Sequence, residues 1–323
     1  MTGWRPTSGP EVAARRAAML RRLRDYFETH ALLEVDTPAL SNAAVSDVHI
    51  ESLTVRSSLT DTPLYLHTSP EFCMKRLLAA GYPDIFSICR VFRDGEAGRN
   101  HQPEFTLAEW YRHGFDLGEI ILDALNVISA ALDDAALVAS ASIINYQDAF
   151  VHVVGVDPVN CSSADLANAI DADDALHDTV GDQRSDWLDL VLATKIAPSF
   201  ASSRLTVLQH YPAPQAALAR ICPANAAFAD RFEVFMGRVE LANGYVELTD
   251  AGIQAARIAD DQADRKRRNR PLRPHDESLI AALASGLPQC AGVAMGIERL
   301  QMIHEKTDDI QNVIPFLFEE RDE

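Results

Sequence analysis

The sequence predicts an α+β fold: an antiparallel sheet flanked by helices and broken by a helical insertion. Three observations predict it. Apolar residues recur at helical spacing from Pro10 to about His30. The runs DIFSICRVFR and PEFTLAEWYR alternate in strand fashion on either side of a glycine-broken loop, the pattern of a long antiparallel hairpin. Residues 116–200 are alanine-rich and helical in pattern.

In the first helix Val12, Ala13, Met19, Leu20, Leu23, Tyr26 and Phe27 share the apolar side and arginines the outer one. The segment ALLEVDTPALS then reads as a short strand stopped by Pro38, which cannot donate to a sheet ladder and suits an edge or a subunit boundary. In HTSPEFCMKRLLAAGY, Ser69 reads as an N-cap, Pro70 as the first helical residue and Glu71 as a first-turn acid, with the end near Gly81. The hairpin follows, with Phe105, Leu107, Glu109 and Tyr111 on one face of its second strand. Within the insertion, nine Asp stand against one Arg between Asp157 and Asp189, which reads as a solvated accessory face without chemistry. LTVLQHYP, ADRFEVFMGRVELANGYVELTD and CAGVAMGIERLQMIH supply further strands, the last passing into a helix. The simplest organisation is one catalytic domain over residues 1–323 with an insertion at about 116–200.

Composition narrows the function classes. The chain of 323 residues carries 29 Lys and Arg against 47 Asp and Glu, a formal charge of -18. That balance repels a phosphate backbone, which argues against a broad nucleic-acid platform but not against a local basic pocket for one polyphosphate. The five cysteines lie far apart without a C-x-x-C pair, as expected of reduced thiols. No stretch has signal-peptide or membrane-span character, and a cytoplasmic protein is expected.

Three clusters could carry chemistry. Arg93, Arg99 and His101 lie in the hairpin loop FRDGEAGRNHQPEF, where guanidinium forks could grip phosphate oxygens or simply solvate a surface tip. Glu233, Glu240 and Glu247 recur every seven residues. Such odd spacing alternates faces on a straight strand, but Gly237 and the Asn243-Gly244 pair mark turns or bulges that could bring them together. Converging carboxylates need a cation, either a hard metal or a substrate ammonium; otherwise they are exposed hairpin acids. In GVAMGIERL, Gly292 and Gly296 allow close backbone approach, and Arg299 is either functional or a structural ion pair.

The order of these clusters resembles the class II aminoacyl-tRNA synthetases. LLEVDTPAL is similar to motif 1, FRDGEAGRNHQPEF to motif 2 and GVAMGIERL to motif 3. SPEFCMKRLLAAG, EFTLAEWY, ELANGYVELTDA and HDESLIAALASGLPQCAG resemble the lysyl branch, so the likeness covers nearly the whole chain. Motif 1 begins within the first forty residues, so the OB-fold anticodon-binding domain of lysyl-tRNA synthetases is expected to be absent. With HYPAPQAALA, the chain most resembles the stand-alone paralogues that activate (R)-β-lysine as an adenylate and attach it to elongation factor P.

The resemblance implies a class II synthetase core, ATP as co-substrate with Mg²⁺, (R)-β-lysine or lysine as substrate, elongation factor P as partner, and a homodimer formed through motif 1. It implies that Arg93 holds the α-phosphate, Arg299 lies against adenine and the γ-phosphate, and Phe105 stacks on adenine. Asp94, Gly95, Glu96, Gln102, Glu240, Leu241 and Gly296 complete the ATP-binding set, and Glu233 and Glu240 hold Mg²⁺. Glu71 and Glu109 match positions near the substrate amino group, Glu247 and Tyr111 those at its terminal ammonium, and Ser69, Pro70 and Ala294 line the same substrate. Ala294 stands where lysyl-tRNA synthetases usually carry Gly. Gly95 stands where class II enzymes usually have the Glu that receives the adenine amino group, with Glu96 one place late, and Gln102 replaces Asn. Adenine reading would then rest on backbone groups or on Glu96.

Two other readings compete. A synthetase-like enzyme could charge tRNA or release lysyl-adenylate, with RKRRNR at Arg265–Arg270 as a tRNA contact; net acidity and the missing OB-fold make tRNA the weaker partner, and the run otherwise reads as a solvated helix face. A catalytically inactive binding module would not need both a phosphate end and an ammonium end.

Overall fold

The first helix of the computed structural model, α1 (Pro10–Thr29), starts at a proline whose missing N–H costs nothing there, and it buries Met19, Leu23 and Phe27. Phe27 stacks on Phe86 at 4.5 Å and meets Trp110 at 5.4 Å. Each such side chain contributes about 1.5–3 kcal/mol when taken from water. The arginines of the other side are partnered more than solvated: Arg15 pairs with Glu305, Arg24 with Glu34, and Arg16 reaches into the core. Residues 4–318 are described, and they cluster into two units. One holds residues 4–114, 249–290 and 294–318, the other residues 115–248 and 291–293.

In the first unit, β1 (Leu33–Glu34) pairs in parallel with a later strand, and β2 (Leu40–Ser41), β3 (Thr54–Val55) and β4 (Leu64–Leu66) form a small antiparallel sheet in the order β2-β4-β3. The strand expected across Pro38 is thus two short ones on either side of it. Helix α2 (Glu71–Ala79) follows, and its cap falls on Pro70. Ser69 is therefore not the N-cap; proline is tolerated at the cap because that N–H would be unsatisfied in any case. The expected hairpin is present as β5 (Ile85–Phe92), the partner of β1, and β6 (Glu104–His113), with Ser87 opposite Glu109 and Val91 opposite Phe105.

The second unit begins with α3 (Leu117–Leu132), held by a reciprocal capping box of Asp116 and Glu119, then α4 (Ala136–Ser140). The alanine-rich stretch is not purely helical: β7 (Ser142–Asn145) interrupts it and pairs in parallel with residues Thr206–Gln209 of a later strand. Around it come α5 (Tyr146–Val154), α6 (Ser163–Ala169), α7 (Asp174–Val180) and α8 (Arg184–Val191). Several of the aspartates expected to be mere solvation close these short helices, Asp165 in a capping box with Ser162 and Asp173 at the start of α7. A core of Tyr146, Phe150, Trp187, Leu188, Leu208 and Phe235 ties the helices to β8 (Leu205–Gln209) and β9 (Arg231–Met236). With β10 (Val239–Val246), the strands of this unit run β10-β9-β8-β7.

Gly237 turns β9 into β10 with φ +56°, as expected of a glycine there. Asn243 and Gly244, expected in a turn, lie inside β10 instead. Gly244 is there for space: a Cβ would come within 2.7 Å of the Phe232 ring and 2.9 Å of the Gly292 carbonyl oxygen.

The chain returns to the first unit with α9 (Ala251–Arg267) and α10 (Glu277–Gly286); β11 (Cys290–Gly296) belongs in part to each unit, and α11 (Ile297–Glu305) follows. Leu279, Leu283 and Leu287 of the α10 region pack with Met74, Leu78 and Tyr111. The basic run at the end of α9 is a solvated face only in part: Lys266 and Arg267 are exposed, whereas other members are engaged within the fold. Arg265 is fully buried and donates to the carbonyls of Ser46 and Asp47 and to Glu51, while Arg270 reaches Val48 and Glu51 and Arg268 pairs with Asp264. Among the described residues, no helix is long and apolar enough to cross a membrane.

One carboxylate knots the first unit together. Glu298 on α11 is 3% exposed, accepts from Arg16 of α1 at 2.8 Å and from the Thr106 backbone N–H of β6 at 2.9 Å, and Arg16 also donates to the Thr106 hydroxyl at 2.7 Å. Removing one member of such a set leaves the other charge buried and unpaired. Glu298→Ala is expected to destabilise the fold by about 3 kcal/mol in urea unfolding, with most of the loss absent when Arg16→Met is added. Gly244→Ala is expected to destabilise by about 2 kcal/mol through overpacking and to lower the thermal midpoint, with no contribution from φ.

Candidate active site

In the first unit the strand-to-loop junction fixes Arg93. Its guanidinium lies 5.1 Å over the Phe105 ring and 3.6 Å from Glu96, and its backbone N–H donates to Pro103 across the loop mouth. A planar cation seated on an aromatic face has lost rotamer freedom before any ligand arrives. Its Nε is buried without a hydrogen-bond partner. The loop backbone is pinned at Asp94, whose N–H donates to Glu51, the same residue that gathers Arg265, Arg270 and Arg273. Gly95 sits at φ +78°, a conformation that the usual Glu would occupy under strain.

The other two cations of the loop go different ways. Arg99 turns to the Asp308 carboxylate at 2.7 Å and the Asp308 carbonyl at 3.0 Å, which makes it a structural tie. His101 lies against the guanidinium of Arg299, so motif 2 and motif 3 residues meet. Gln102, 8% exposed, accepts the Phe318 backbone N–H at 2.9 Å, and the Ile310 N–H donates to the Arg99 carbonyl. The segment after α11 therefore laces onto the loop at three points, Asp308, Ile310 and Phe318.

On β6, Glu109 and Tyr111 are both 2% exposed, and the Tyr111 hydroxyl donates to Glu109 Oε1 at 2.7 Å. Burial first, then the charge of Glu109, pushes the neighbouring Cys89 thiol up to about 11. Glu71, in the first turn of α2, accepts from buried Lys75 at 2.6 Å across one helical turn. Ser69 and Pro70 precede it, while Ala294 and Gly296 lie on β11 with Arg299 on the helix that β11 enters.

In the second unit one bulge decides the geometry. The pairing of β10 with β9 shifts between Glu240 and Ala242, so Leu241 is an extra residue. Glu240 is opposite Phe235, Asn243 opposite Glu233 and Tyr245 opposite Arg231. Since directly opposed residues share a face, the pairing at the Gly237 turn already sets Glu240 with Phe235, Glu233 and Arg231, and the bulge then turns Asn243 and Tyr245 onto that same face. Glu247, 2% exposed, lies just past β10 opposite Ala219 and continues that alternation. The three glutamates are brought to one side, Glu233 and Glu240 by the expected turn at Gly237 and Glu247 by the extra residue Leu241, not by Asn243-Gly244.

That face is electrostatically loaded. Arg231 donates to Glu233 at 2.7 Å, to Asn243 and to the Gln215 carbonyl, and lies 4.5 Å over the Tyr211 ring. Even so, burial and then the charge of Glu240 push the Glu233 carboxyl up to about 7, against the pull of Arg231. Burial and the charge of Glu233 raise the Tyr211 phenol as well. A buried carboxylate raised by a second one gains from any cation delivered beside it.

Sequence reasoning missed Arg231 and Glu298. Arg231 was legible, because residues two apart on a strand share a face and it stands two before Glu233. Glu298 adjoins Arg299 in GIERL, but its partner Arg16 is 282 residues away, with no local signal.

Comparison with known proteins now bears on this geometry. The family described as tRNA synthetases class II (D, K and N) matches residues 5–319. A protein of Pseudoalteromonas translucida named elongation factor P–(R)-β-lysine ligase is 41% identical over 97% of this chain and 97% of its own. Proteins with the same name from Sodalis glossinidius and Pectobacterium carotovorum subsp. carotovorum are 40% and 37% identical, each over 98% of both chains. The motif order, the loop that brings His101 to Arg299, the acidic face of β9 and β10 and a match along nearly the whole sequence agree: the chain belongs to the class II tRNA synthetase family of the D, K and N type.

Proposed function

We propose that this protein activates (R)-β-lysine with ATP and transfers the β-lysyl group to a lysine side chain of elongation factor P, yielding AMP and pyrophosphate. The observation that carries this reading is the likeness of 37–41% over nearly full length to proteins named for that activity. In the first step a substrate carboxylate oxygen bonds to the α-phosphorus and the bond to pyrophosphate breaks; in the second an acceptor amine displaces AMP from the acyl carbon. Neither step needs a protein nucleophile, so positioning and charge stabilisation supply the catalysis.

Arg93 is assigned to the α-phosphate, and its seat on Phe105 supports that role by holding the fork in one orientation. Phe105 would offer its remaining ring surface to adenine, with Asp94, Gly95, Glu96, Gln102, Leu241 and Gly296 around the nucleotide and Arg299 on adenine and the γ-phosphate. With Glu96 beside Arg93 and Gln102 accepting the Phe318 N–H, adenine reading is assigned to backbone groups of the loop. Glu233 and Glu240 fit Mg²⁺, being oxygen donors on one strand face that raise one another's affinity for positive charge. When bound there, the ion would neutralise triphosphate oxygens.

The diamino acid is assigned to Glu71 and Glu109 at the amino group and to Glu247 and Tyr111 at the terminal ammonium, with Ser69, Pro70 and Ala294 beside it. Carboxylates placed at both ends of a substrate attract its two ammonium groups, so a neutral analogue gains less from the same site. The engagement of Arg265, Arg268 and Arg270 within the fold supports a protein acceptor in place of tRNA. A cytoplasmic homodimer joined through the motif 1 region, with the chain acting as one catalytic domain, completes the proposal; sedimentation at equilibrium tests the dimer.

Incubating the protein with ATP, Mg²⁺, (R)-β-lysine and purified elongation factor P should add one β-lysyl mass to the factor. No mass gain alongside β-lysine-dependent ATP–pyrophosphate exchange would replace the acceptor; no exchange with any diamino acid would sink the enzyme reading. Arg93→Ala and Glu240→Gln are each expected to lower kcat for exchange by about 100-fold or more. Ala294→Gly should move the preference toward α-lysine, by about tenfold in the ratio of kcat/KM values; an unchanged ratio would remove Ala294 from the discrimination.

A further inference from the structure

We propose a second metal site, remote in chemistry from the Mg²⁺ carboxylates: His210, Cys222 and Asp230 bind a borderline divalent cation of the zinc class. One ligand atom from each lies within 4.8 Å of the others. Tetrahedral coordination with bonds of about 2.0–2.3 Å brings ligand atoms to about 3.5 Å, so closure takes roughly an ångström of side-chain rotation. The donor set of imidazole, thiolate and carboxylate suits zinc, and not the hard Mg²⁺ of the carboxylate face.

The backbone that carries the three residues is already fixed. The His210 N–H donates to the Arg231 carbonyl, the Cys222 N–H to Phe228 and the Asp230 N–H to Arg220, with bridges between Pro212 and Phe228 and between Ile221 and Ala229. Three chain segments are thus stitched side by side, and each offers one ligand. Preorganisation of this kind is what a metal site of three donors requires.

Two further observations point to a ligand. His210 takes a left-handed conformation, φ +58°, which costs a residue with a Cβ about 1 kcal/mol, and its Nδ1 is buried with no hydrogen-bond partner. A buried ring nitrogen left in this state loses the hydrogen bond it had in water, and coordination would restore a partner. Asp230 is 3% exposed and accepts from Arg220 Nε at 2.7 Å through Oδ2. That bond orients the carboxylate, as outer partners orient ligands in metal sites. A fourth position would be left to solvent or to a further ligand. Bound metal would brace the Tyr211–Asp230 connection that leads into β9.

The test uses the full chain, stripped with a chelator and titrated with Co²⁺. The expected result is one equivalent of Co²⁺ giving a thiolate-to-cobalt charge-transfer band, abolished by Zn²⁺ and absent in Cys222→Ser; cobalt at the all-oxygen face of Glu233 and Glu240 gives no such band. His210→Ala and Asp230→Asn should weaken the titration at least about tenfold. Absence of the band in wild type, or its survival in Cys222→Ser, overturns the site. Should a variant fail to fold, X-ray absorption of the zinc-loaded wild type decides: a mixed shell with one sulfur supports the site, and a shell of oxygens or of several sulfurs overturns it.

Discussion

The acidic face of the second unit depends on strand parity. A strand presents alternate residues to alternate sides, so Glu240 and Glu247, seven apart on one continuous run, belong on opposite sides of a regular strand. The turn at Gly237 sets Glu240 on the face of Glu233, and the extra residue at Leu241 corrects the parity between Glu240 and the residues that lead to Glu247. Like charges gathered in this way repel, and the fold answers with Arg231 from the same face. The answer is partial, since burial and the charge of Glu240 still push the Glu233 carboxyl up to about 7. What remains is an excess of negative charge on a rigid scaffold, which is what a site for cations needs.

The first unit meets the opposite problem, how to keep cations in place. Arg16 and Arg265 are taken from solvent and satisfied by carboxylates and carbonyls, Arg16 through Glu298 and Arg265 through Glu51 and the Ser46–Asp47 backbone. Both knots border functional segments: Glu298 precedes Arg299, and Glu51 accepts the Asp94 N–H of the loop. Ion pairs of this type add little net stability over an apolar replacement, but they are costly to break by halves. Their contribution is to hold the loop and α11 in a single arrangement.

Elements with strong local signals were legible in the sequence. The apolar period of α1 and the alternation of β5 and β6 each state their own structure, and the ordered motifs around Arg93, Glu240 and Arg299 mark the family. Features fixed by distant partners were not legible. Nothing near Arg265 distinguishes a buried clamp from a solvated cation, because the carbonyls it satisfies lie more than 200 residues earlier in the chain. The bulge could be anticipated but not placed, since Asn243-Gly244 is a strong turn signal overridden by the close approach of Phe232 and Gly292. Strand β7 was hidden in alanine-rich sequence because its pairing with β8 is supplied from 64 residues away.

The bond from the Phe318 N–H to Gln102 joins the hairpin loop, to which the proposed function assigns the nucleotide, to the segment that follows α11. Thermodynamic linkage makes such a joint reciprocal: a ligand that orders the loop must strengthen the seating of that segment, and a disturbance of the segment must weaken the ligand by the same factor. Residues that touch no substrate thereby enter its binding constant, and sequence drift near position 318 becomes a means of tuning the nucleotide site without altering a single residue inside it.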